Sequence, residues 1–93
     1  MSGGVPSENR PQLRRGARLG WDHVRERHVL LAPEGVLLLN GTGAAIVGLC
    51  DGKQTITEIV ERLRGTYTHV RIDEVEGFLT QLIARGWLEV GDE

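Results

Sequence analysis

The hydrophobic period changes once along this chain, at Asn40, and that change fixes its fold class. Ahead of Asn40 the apolar residues fall in the short runs and alternations that strands need. Behind it they recur every three to four residues, as on a helix face. Arg18 to His23 alternates Leu19 and Trp21 with polar neighbours, and Val24 to Arg27 reads as a charged turn. His28 to Ala32 carries Val29, Leu30 and Leu31, and Pro33, Glu34 and Gly35 make a second turn in which proline presets φ. Val36 to Leu39 is a four-residue apolar run closed by Asn40 and Gly41. Three helices follow. The first covers Thr42 to Cys50. The second opens on a Thr55/Glu58 capping box, lines Ile56, Ile59, Val60 and Leu63 along one face, and ends at Gly65 in a left-handed cap. The third repeats the box in acidic form with Asp73 and Glu76, carries Val75, Phe78, Leu79, Leu82 and Ile83 as a stripe, and stops at Gly86. Trp87 to Val90 is a short wing. The order predicts a small α+β domain of winged-helix-like type, in which a three-stranded antiparallel sheet precedes three helices and a C-terminal wing.

At 93 residues the chain is one domain. Residues 1–15, with Gly3, Gly4, Pro6, Ser7, Asn9 and Pro11, bury too little to offset chain entropy and are expected to form a disordered tail, leaving 16–93 as the domain. Arg14 and Arg15 are not followed by the apolar segment an export signal requires, and no run approaches a membrane span. The lone Cys50 cannot form an internal disulfide, which suits a reducing compartment, so the expected location is cytoplasmic.

The sequence offers little to build a catalytic site from. His23, His28 and His69 lack the spacing of a metal site and no second cysteine frames them. Cys50 sits on the apolar side of its helix with no histidine at a fixed spacing to activate it. Asp73, Glu74 and Glu76 are explained by the field of a helix start. Gly41-Thr42-Gly43 lacks the lysine of a phosphate loop. A non-enzyme without cofactor is expected. The alternative for a winged-helix shape is a DNA-binding regulator. A net charge of −2 and three acids leading the candidate recognition helix put repulsion where phosphates would approach, so nucleic acid is not an expected partner. Charge is also uneven: Met1 to Leu31 carries +3 and Asp51 to Glu93 carries −4.

What remains is the run Val36 to Leu39. A strand alternates faces at every residue, so four consecutive apolar side chains make both faces greasy. Helices in so small a domain can hardly cover both. As a sheet edge the run has no lysine, proline or bulge to guard it and would template one more strand, as in β-augmentation by a peptide. The competing readings are ordinary core and a homodimer through the exposed edge. The pattern leaves open which of Leu37 and Leu38 faces a partner, because register decides face.

The same residues carry a resemblance. His28-Val29-Leu30-Leu31-Ala32-Pro33-Glu34-Gly35, then Leu39-Asn40, Leu49-Cys50-Asp51-Gly52, Thr55-Ile56, Glu58-Ile59-Val60, Phe78-Leu79 and Gly86-Trp87-Leu88 make the chain similar to the PqqD family of pyrroloquinoline quinone biosynthesis. The likeness spans Leu13 to Val90, with Ala32 standing where an aromatic is common. It implies a peptide chaperone, a RiPP recognition element, that binds the precursor peptide PqqA by strand addition and presents it to the radical SAM enzyme PqqE. It further implies a groove formed by Val36, Leu37, Leu38 and Leu39 on the strand and Val75, Phe78, Leu79 and Leu82 on the third helix; Arg71 and Arg85 flank these residues in sequence and are expected to meet acidic side chains of the peptide. The quinone is the pathway's product, so no cofactor is implied.

Overall fold

A computed structural model of the chain describes residues 8–91. The elements run β1 (Pro11–Leu13), β2 (Arg18–Asp22), β3 (Arg27–Ala32), β4 (Gly35–Leu39), α1 (Gly41–Gly48), α2 (Ile56–Arg64), α3 (Ile72–Ala84) and β5 (Leu88–Val90). β2, β3 and β4 form an antiparallel three-stranded sheet with β3 in the centre, and β1 pairs with β5 in a second, two-stranded one. The three helices and antiparallel sheets make the small α+β fold that the change of period implied.

Each turn has a local cause. The Asp22 carboxylate accepts the amides of Val24 and Arg25 at 2.9 and 3.1 Å, closing the β2–β3 turn. Pro33 and Glu34 link β3 to β4, with Ala32 and Gly35 paired across them. Asn40 caps α1 by accepting the Gly43 amide at 2.7 Å. The capping box of α2 is present on both sides: the Glu58 amide donates to Thr55 Oγ1 and the Thr55 amide to Glu58 Oε1.

α1 lies against β2, β3 and β4 on one face of the sheet, and α2 and α3 pack around it to close the same core. Leu30 and Leu39 from the sheet meet Ile46 and Val47 of α1, Ile56, Ile59, Val60 and Leu63 of α2, Val75, Leu79 and Leu82 of α3, and Leu88 of β5 in a single core. Such burial contributes about 1.5–3 kcal/mol per large aliphatic side chain and carries the stability of the domain.

Three expectations are corrected. The tail is ordered from residue 8 onward in part: Pro11 to Leu13 is a strand, its register Pro11↔Val90, Gln12↔Glu89 and Leu13↔Leu88. The amides of Gly52, Ile56 and Gly91 donate to the carbonyls of Pro11, Asn9 and Arg10, so backbone bonds hold what composition gave no reason to order. Residues 1–7 of the expected tail lie outside the described residues. The wing is accordingly the partner of β1. At α3 no acidic box forms: Arg71 occupies the cap without a side-chain bond, and Asp73 in the first turn is held by the Arg71 guanidinium at 3.2 and 3.1 Å. Gly65 ends α2 with φ −73°, a right-handed turn rather than a left-handed cap, whereas Gly86 does take φ +86° after α3.

Candidate functional site

The backbone of β4 presents the site's first component. Ala32 and Gly35 flank a two-residue loop, so their facing amides and carbonyls bond each other. Antiparallel alternation then turns Leu37 and Leu39 toward Leu30 and His28 of β3, and turns the amides and carbonyls of Val36 and Leu38 away from it. Among the described residues β3 is the sole partner strand of β4. Two donors and two acceptors therefore stand in a row along an edge without lysine or proline. Side chains follow the same rhythm: Leu37 packs on the core and Leu39 is buried in it, while Val36 and Leu38 are exposed on the opposite face.

The second component is a cavity of about 290 Å³ that opens where β4 gives way to α1. Its walls are Asn40 and Gly43 at the start of α1, the α2–α3 connection from Tyr67 to Val70, and Arg71, Glu74, Val75 and Phe78 of α3. Gly43 is needed for that closure. A Cβ there would stand 3.1 Å from Asn40 Oδ1 and 3.2 Å from Phe78 Cζ, so any larger residue would push the ring away from the cap. The connection is held in place by the Arg64 guanidinium, which donates to the Val70 carbonyl through two nitrogens at 3.2 Å.

The residues singled out from the sequence fall into three groups. Val36, Leu37 and Leu38 form the edge strand. Arg71, Val75 and Phe78 line the cavity beside its C-terminal end. Leu39, Leu79 and Leu82 are core, with 4%, 0% and 3% of their surface exposed, and support the site from beneath. Arg85 lies apart, in a pocket with Arg14, Glu34 and Trp87 at the other end of α3. Asn40, Gly43, Tyr67, His69 and Glu74 also line the cavity and were not assigned to the groove from the sequence, where Gly43, His69 and Glu74 were weighed only for phosphate, metal and helix-start roles.

The titratable groups here do structural work. The Arg71 guanidinium beside Asp73 holds its carboxyl below the usual range. Burial pushes the Cys50 thiol up to about 12, and its sulfur donates to the Ile46 carbonyl at 3.3 Å, which makes it an inert packing group. The Lys53 amide at 2.8 Å, ahead of that of Gln54, lowers the Asp51 carboxyl. A group with a depressed folded pKa contributes stability above its unfolded value, here 3.8, and loses it as pH falls through the folded value. The melting-temperature gap between the wild type and Asp51→Ala should therefore be constant from pH 8 to about 5 and close below about 4.

A three-stranded sheet whose β4 edge is open, with three helices that leave a cavity beside that edge, is the architecture of a domain found both alone and inside larger enzymes. The fold aligns with the solution structure of a PqqD truncation of Methylobacterium extorquens PqqCD, described as a stand-alone RiPP recognition element. The TM-score is 0.71 at 35% identity, covering 96% of this chain and 99% of that one. It also aligns with part of the heterocyclase TruD, at a TM-score of 0.64 and 21% identity over 88% of this chain and 11% of that one, a likeness of fold alone. Residues 27–88 match the family model for coenzyme PQQ synthesis protein D, and the chain belongs to the PqqD family. Among its relatives are a PqqA binding protein of Azotobacter vinelandii, 42% identical over 86% of this chain and 89% of that protein, and the bifunctional coenzyme PQQ synthesis protein C/D of Methylorubrum extorquens, 46% identical over 61% of this chain and 15% of that protein.

Proposed function

We propose that the chain is a non-catalytic, cytoplasmic peptide chaperone of pyrroloquinoline quinone biosynthesis that binds PqqA as an added strand on β4 and presents it to PqqE. The observation that carries this reading is the open row of amides and carbonyls at Val36 and Leu38, next to the cavity closed by Phe78. An incoming strand would take its backbone bonds from that row, and one of its side chains would fill the cavity. The family's relatives that bear the name PqqA binding protein supply the peptide's identity. A flexible precursor loses ordering entropy on docking, so backbone pairing plus one or two apolar anchors suits a hold that must later be released. Tethering the peptide on a partner of PqqE raises its local concentration at that enzyme without chemistry by the chaperone.

The alternative, a winged-helix regulator reading DNA with α3, is disfavoured by Asp73 and Glu74 in the first turn of that helix. A second copy is the other competitor for the edge, and it would make apparent peptide affinity depend on protein concentration. An amide-shift titration with PqqA, repeated with duplex DNA, separates the three. Shifts at Val36 to Leu38 and around Phe78 with peptide alone are the expected result; shifts with DNA alone, or none with peptide, would overturn the proposal.

A further inference from the structure

Large exposed hydrophobic residues are unevenly spread over this molecule. Of five among the described residues, Val36 and Leu38 lie on the outer face of the three-stranded sheet at 57% and 42% exposure and Val24 in its first turn at 92%, while Trp21 belongs to the opposite row with His28. Register places Gly20, Val29 and Leu38 in one row and Arg18, Leu31 and Val36 in the next, all on the face turned away from the helices. Val29 is 2% exposed yet takes no part in the helix-side core, so this face has a small apolar layer of its own. Gly20 allows it: a Cβ there would meet Leu31 Cδ1 at 3.1 Å, so the missing side chain gives Leu31 its place across the sheet. Arg18 and Arg27 flank the layer and have no ion-pair partner among the described residues.

We propose that this outer sheet face is the docking surface for the catalytic protein that modifies the bound peptide, an inference that rests on the peptide-presenting reading above. Three observations select that occupant. Five-residue strands side by side give a face about 17 Å long and about 14 Å wide, roughly 240 Å², far below the ~800 Å² per partner of a stable complex. That size fits a transient encounter. Arg18 and Arg27 outnumber Asp22 on this face, and the Asp22 carboxylate is already held by Arg25, so an apolar patch with an acidic rim on a different protein complements the face better than a second copy of it. Finally, the fold recurs as a part of longer proteins, the bifunctional C/D protein and the heterocyclase.

The geometry adds a consequence. A strand paired to β4 alternates its side chains, so every second one falls on the outer face next to Val36 and Leu38. Loading the peptide widens the apolar layer, and the enzyme meets a surface made of both chains. Its affinity for the loaded chaperone should exceed that for the empty one, and by reciprocity the enzyme should tighten the hold on the peptide.

The test is the double variant Arg18→Glu with Val24→Asp, both exposed and outside β4, assayed against fluorescent PqqA and against PqqE. The expected result is PqqA affinity within about twofold of the wild type and PqqE affinity reduced about tenfold or more. Unchanged PqqE affinity would overturn the proposal. So would loss of both partners together, which would assign the face to the peptide, or a wild-type dimer in sedimentation that the variant dissociates. Failure of the unaltered chain to bind PqqA at all would instead sink the reading on which this one rests.

Discussion

Leu38→Pro should weaken PqqA binding about tenfold or more while leaving the far-ultraviolet circular dichroism of the free protein unchanged. The amide it deletes points away from β3, so no ladder bond within the fold is lost, and proline is tolerated on the open side of an edge strand. An arriving strand loses one backbone donor and meets a pyrrolidine ring where it should lie flat. The neighbouring Leu37→Pro acts oppositely: its amide bonds Leu30, so that change breaks the hairpin and lowers stability whether or not peptide is present. Titration of both variants with labelled PqqA, alongside thermal melts, separates a lost docking edge from a damaged sheet. Equal PqqA affinity for Leu38→Pro and wild type would remove β4 from the binding mechanism.

Leu79→Ala should cost about 2–5 kcal/mol, because Leu79 is fully buried between the helices and the site can collapse only partly. A domain of this size has only a few kcal/mol of net stability, so the variant is expected to melt at least about 10 °C lower and to populate the unfolded chain at room temperature. Phe78, one position earlier, is half-buried: it packs on the edge of the core and lines the cavity. Phe78→Ala should therefore lose peptide anchoring with a much smaller fall in melting temperature. If the two variants lose stability equally and Phe78→Ala keeps full affinity, Phe78 belongs to the core and the cavity is not an anchor site.

Side-chain chemistry was legible in the sequence wherever it set local structure. The alternation of Leu19 and Trp21, the runs on either side of Pro33, and the Thr55/Glu58 box each specify an element without help from the rest of the chain. β1 was not legible because it is held by the carbonyls of Asn9, Arg10 and Pro11, groups that every residue possesses and composition cannot reveal. The stripe on α3 was read as one face where the helix has two uses. Val75, Leu79 and Leu82, spaced by four and three, point inward, and Phe78 sits at the edge of that stripe, about 40° from Leu82 and about 60° from Val75, where it both packs on the core and lines the cavity. The edge was legible as an unguarded apolar run. Which of its amides are free was not, since that depends on register, and register is set by the two-residue turn at Pro33 and Glu34.

Amide hydrogen exchange at Val36 and Leu38, with and without saturating PqqA, tests strand addition most directly. In the free protein both amides face outward from the ladder and should exchange rapidly, while those of Leu37 and Leu39 are protected. With peptide bound, Val36 and Leu38 should become protected to the level of their neighbours. Continued fast exchange at both positions under saturation would contradict strand addition at β4.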